Sequence, residues 1–132
     1  MATTIQQNHE SQTNRSALTR YVIAWTSDGS QAYAETIAIQ SPGELIAVTF
    51  DPGTPAPTAN YDVVLTDSEG VDVLAGQGAN LSDTVSTMVC PGIPVKDGTT
   101  TSVGPRPVYG NLSLAISNAG VSKAGTIVLW VR

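Results

Sequence analysis

Apolar and polar residues alternate with period two along most of residues 18–132, a pattern that predicts strands and not helices. In residues 18–26, Tyr21, Ile23 and Trp25 share one face, and Leu18, Arg20, Val22 and Ala24 the other. Residues 32–40 set Tyr33, Glu35, Ile37 and Ile39 against Ala34, Thr36 and Ala38. Residues 44–51 set Ile46, Val48 and Phe50 against Leu45, Ala47 and Thr49. Ser41-Pro42-Gly43 is expected to break the chain between these two strands. Ser27-Asp28-Gly29-Ser30 reads as a turn, and residues 51–60, with Pro52, Pro55 and Pro57, as a loop. Residues 61–67 form the next strand, 71–74 a short strand or single helical turn, and 85–90 an extended segment. The chain closes with Leu112, Leu114 and Ile116 in one strand and Ile127, Leu129 and Val131 in another. Asn118-Ala119-Gly120 and Lys123-Ala124-Gly125 lie between them, which predicts an antiparallel hairpin. Seven or eight short strands separated by turns predict an all-β fold: an antiparallel β-sandwich, jelly-roll-like domain or small barrel.

Two stretches depart from that pattern. Residues 1–16 are rich in Thr, Gln, Asn and Ser, with Ile5 the only large aliphatic side chain after Met1. Such a segment buries too little apolar surface to offset its ordering entropy, so a flexible N-terminal arm is expected ahead of one domain at 17–132. The alternative is an arm that orders on a partner, with Ile5, Gln6, Gln7, Asn8 and His9 adding to a neighbour's sheet edge. The second stretch, 91–107, holds four prolines and three glycines. It is too long for a tight turn, and Pro91, Ile93, Pro94, Val103, Pro105, Arg106 and Pro107 become candidate contact residues.

Composition narrows the partners. Six basic against eleven acidic residues give a net charge of −5, and the basic residues are scattered, which argues against nucleic acid or an anionic membrane. Residues 1–12 carry no basic-then-apolar signal, and no apolar run approaches membrane-spanning length, so neither secretion nor membrane crossing is expected. The single cysteine excludes an internal disulfide and fits a reducing compartment.

Candidate chemistry is sparse. A nucleophile needs an oriented base. The one histidine, His9, lies in the arm, and Cys90, between Val89 and Pro91, reads as a small packed hydrophobe. The expectation is a non-enzymatic protein without cofactor, metal or catalytic residue. Asp67-Ser68-Glu69-Gly70-Val71-Asp72 faintly echoes a calcium loop but lacks the bidentate glutamate of that pattern, and reads first as a solvated turn. A glycosidase carboxylate pair would need an aromatic platform that does not accompany these acids. Trp25 and Trp130 read as core or barrel-end packing, with a subunit contact or carbohydrate stacking as alternatives.

Three stretches carry a resemblance: ALTRYVIAWTSDG at 17–29, YDVVLTD at 61–67 with GVDVLAG at 70–76, and SKAGTIVLWVR at 122–132. They resemble small virion proteins of tailed bacteriophages, of the capsid cement or decoration type. That likeness implies a jelly-roll or sandwich domain, dimeric or trimeric, made in the bacterial cytoplasm and bound outside the assembled head. Its partners would be the major capsid protein and further copies of itself. A tail or head–tail connector component is the alternative inside the virion, and a carbohydrate-binding β-sandwich module the alternative outside it.

Overall fold

A computed structural model describes residues 3–8, 18–94, 103–104 and 106–132. Side chains are described for 18–40, 42–92 and 106–132. Nine strands follow in order: β1 (Thr3–Asn8), β2 (Leu18–Thr26), β3 (Tyr33–Pro52), β4 (Asp62–Thr66), β5 (Thr87–Val89), β6 (Ile93–Pro94), β7 (Val103–Gly104), β8 (Arg106–Ser117) and β9 (Ala124–Val131). All pairings between them are antiparallel, and the described residues contain no helix. The main sheet runs β1-β2-β9-β3-β8-β4, with β5 also on β3, and curls into a nearly closed, sandwich-like barrel. The all-β expectation holds.

The curl is made by β3. Its first part pairs with β8, from Tyr33 opposite Ile116 to Leu45 opposite Arg106; its last part pairs with β9, from Leu45 to Pro52. Register slips between Ile39 and Gly43, and again between Leu45 and Ala47. Ser41-Pro42-Gly43 therefore does not end a strand, as expected from sequence; it sits at a bulge, where proline's missing N–H is tolerated. Gly43 is needed there, because a Cβ would stand 2.4 Å from the Arg132 carbonyl oxygen. The second slip swaps faces: Leu45 turns inward with Val48 and Phe50, while Ile46 is only half-buried. Strict alternation groups Ile46, and not Leu45, with Val48 and Phe50.

The predicted terminal hairpin is absent. β8 and β9 lie on opposite edges of β3 and do not pair. The chain between them crosses the open end of the fold, with Ala119 fully buried, donating its N–H to the Gln31 carbonyl and accepting from the Thr58 N–H. Asn118, Gly120 and Ser122 take positive φ along this crossing. Alternation identifies two strands facing one core but not which neighbours they choose.

The core joins both halves. Tyr21, Ile23 and Trp25 on β2, with Ile127, Leu129 and Val131 on β9, face Leu112, Leu114 and Ile116 on β8 with Val63 and Leu65 on β4. Trp25 meets Tyr61 across the interior, ring centroids 5.8 Å apart and tilted by 43°. The Tyr21 hydroxyl accepts the Gln40 N–H, tying β2 to β3.

Residues 73–78 are turns, entered through an isolated antiparallel bridge between Asp72 and Thr66. They cover the outer edge of β4: Val63 N–H donates to Gly78, Val73 N–H to Leu65, and Val73 and Leu74 are buried. At the opposite end, Thr3–Asn8 is paired along its whole length with β2, from Thr3 opposite Ile23 to Asn8 opposite Leu18. Six residues of the expected arm are thus a strand of this chain's own sheet.

Candidate partner-binding surface

Cross-strand partners project to the same side of a sheet, so the registers place the outward residues in rows. One row runs Val22, Val128, Thr49, Met88 across β2, β9, β3 and β5; the next runs Arg20, Trp130, Ala47. Val128 is 5% exposed although it faces away from the core, and Trp130 is half-buried. The Arg20 guanidinium lies over the Trp130 ring, 4.8 Å from its centroid, and the indole N–H donates to the Thr49 hydroxyl at 3.2 Å. Both contacts restrain the indole. Met88, at 62% exposed, carries the strip to the edge, beside the equally exposed Val85. The result is a patch that carries tryptophan, methionine and arginine, residue types enriched at protein interfaces.

The sequence held a signal for this strip. Residues 127–131 are apolar without interruption, and such a run marks a strand covered on both faces. Met88 carried no comparable mark, because its exposure depends on β5 being a short edge strand.

The residues singled out from sequence do not form one patch. Ile5, Gln6, Gln7 and Asn8 lie in β1 opposite Tyr21, Arg20, Thr19 and Leu18. His9 and Pro105 fall outside the described residues. Ile93 and Pro94 pair with Gly104 and Val103 in the small β6–β7 ribbon. Three strands separate β1 from β8 in the sheet order. Pro107 is exposed, but Pro91 is buried and Arg106 is 7% exposed. The Arg106 guanidinium donates to the Pro91 and Gly92 carbonyls at 3.4 and 3.2 Å, so it holds the loop and does not offer its charge outward. Cys90, expected to be packed, is exposed; Pro91 takes the buried place beside it.

Three aspartates serve turns. Asp28 accepts from Ser30 and Ala32 N–H, Asp67 from Glu69 and Val71, and Asp72 from Leu65, Leu74 and Gly76. Asp67 and Asp72 therefore face backbone donors, the arrangement of a solvated turn. Asp62 accepts from the Asn80 N–H and the Asn118 amide, which hold its carboxyl below the ordinary range. The Tyr33 hydroxyl donates to Glu35; burial first, then that carboxylate, push the phenol's pKa up. Burial, with the nearby charge of Asp51, raises Tyr61 to about 12. Beside Glu35 lies an open depression of about 300 Å³, bordered by Ala34, Thr36, Ser113 and Leu114. Trp25, at 1% exposed, is closed off as a stacking platform. No protein-family model and no curated protein matches this chain.

Proposed function

We propose that this chain is a non-enzymatic structural protein of a phage virion, of the cement or decoration type. In this reading it binds the outside of the head as a homo-oligomer and bridges major capsid subunits. The observation that supports it most is the outward pair of rows in which the half-buried Trp130, held by Arg20 and Thr49, lies near the exposed Met88 at the sheet edge. A restrained indole gains contact area without the ordering cost that mobile side chains incur. Many weakly bound copies, linked to one another and seated on a repetitive lattice, would add avidity across subunit seams. Sequence likeness to small virion proteins at 17–29, 61–76 and 122–132 supports the location.

The carbohydrate-binding alternative is the weaker reading. Trp25 is in the core, and Arg20 already occupies one face of Trp130. A tail or connector position differs from cement in copy number, which band intensity on a gel of purified particles separates.

The test is co-sedimentation of the purified chain with emptied heads of the phage that encodes it. We expect saturable binding that Met88→Glu weakens by roughly tenfold or more, since it buries a charge in an apolar contact. Met88 is exposed, so the substitution leaves folding intact. Absence of binding by the unaltered chain would defeat the proposal.

A further inference from the structure

We propose that β1 is a transferable strand, which completes the β2 edge of a second copy of this chain as readily as its own. The inference deepens the self-association in the reading above and is independent of the virion. Three observations converge on it. First, β1 packs on β2 and on no other strand to a comparable extent among the described residues. Its pairing among the described residues is one antiparallel ladder, Thr3 opposite Ile23 through Asn8 opposite Leu18, and a second copy's β2 offers the same ladder.

Second, the connection is far longer than the pairing requires. Asn8 and Leu18 are directly opposed, yet residues 9–17 lie between them. A hairpin needs only about two to five residues there. Nine residues can reach up to roughly 30 Å, enough to pass from one copy's β2 to another's. Third, Thr-Thr-Ile-Gln-Gln-Asn contains no proline, glycine or charge, the devices that keep a strand from joining foreign edges. Reciprocal exchange of such an element gives a closed two-fold dimer. A short tether gives its own β1 an effective concentration of about the millimolar order, so exchange takes over where copies are crowded to that density.

The experiment uses the full chain with Cys90→Ser, so that introduced thiols are the only ones. Thr4→Cys and Val22→Cys face each other in the β1–β2 register. Made as separate variants and mixed, they form a disulfide only between copies. With one variant of each pair lengthened by a terminal tag, equilibration at about 1 mM protein in a glutathione buffer, followed by a non-reducing gel, resolves the mixed dimer from both homodimers. The control mixes Val22→Cys with Ser117→Cys, which is exposed on β8 away from the ladder. We expect roughly tenfold more mixed dimer than in the control, falling on dilution. Equal yields would overturn the proposal. Deleting 9–17 gives a second measurement: β1 can then no longer fold back on its own β2 in this register. Light scattering should show a dimer, and a folded monomer would count against exchange. Where the deleted chain fails to fold, the mixed disulfide decides. Failure here leaves head binding untouched, and failure to bind heads leaves this ladder untouched.

Discussion

Replacing Gly125 by alanine adds one methyl group at a contact in the core that has no room for it. Gly125 stands opposite Trp25 in the β2–β9 ladder, and a Cβ there would lie 2.6 Å from Cζ2, 2.8 Å from Cε2 and 2.9 Å from Nε1 of the indole. All three distances are inside van der Waals contact. The ring cannot retreat freely, because Tyr61 packs against it and the residue is 1% exposed. Gly125 is not among the positive-φ positions, so the cost comes from the contact and not from the backbone. Overpacking of this kind costs about 1–3 kcal/mol. For a domain of this size that lowers the melting temperature by about 3–5 °C per kcal/mol, so a drop of roughly 3–15 °C is expected. Thermal melts followed by near-ultraviolet circular dichroism measure it. The decisive comparison repeats the substitution in a Trp25→Phe background, where the clashing indole atoms are gone. That ring also loses an indole N–H that is buried without a hydrogen-bond partner. Gly125→Ala should cost less in that background, giving a coupling energy of order 1 kcal/mol. An unchanged melting temperature, or equal costs in the two backgrounds, would refute the packing account.

Three further outcomes follow from named contacts. The folded-state pKa of Asp62 is lowered, so its contribution is present above the ordinary carboxylate value of 3.8 and is lost as pH falls through the lowered one. Asp62→Ala should therefore flatten the acid limb of stability against pH, and an unchanged limb would show that its two hydrogen bonds do not matter. Arg106→Met removes both donors to the Pro91 and Gly92 carbonyls, at an expected cost of about 1–3 kcal/mol. Limited proteolysis should then cut between 91 and 105 faster than elsewhere; an unaltered cleavage pattern would release Arg106 from that role. Deleting residues 1–8 should lower the melting temperature by several degrees, because β2 loses a six-residue ladder. A free arm would leave it unchanged.

The inward faces of β2, β4 and β8 were legible from alternation alone, since a period of two follows directly from strand geometry. The bulges in β3 were not. A one-residue slip leaves composition untouched while exchanging Leu45 for Ile46 at the core. Pairing partners were not legible either: Leu112 and Ile127 face one interior, but β8 and β9 lie on opposite sides of β3, and the chain between them buries Ala119. The low apolar content of Thr3–Asn8 suggested an arm, yet strand pairing needs only backbone donors and acceptors, which every one of those residues supplies. Of the outward strip, Trp130 and Val128 could be read from an unbroken apolar run. Arg20 could be placed on Trp130 only once β2 was known to pair with β9.

A near-atomic reconstruction of the encoding phage particle is the most direct examination of the central proposal. The account predicts an all-β domain on the exterior of the head, present in hundreds of copies on a capsid lattice, with Trp130 and Met88 pressed against a coat subunit. Particles lacking the chain, or carrying it with that strip turned to solvent, would contradict it.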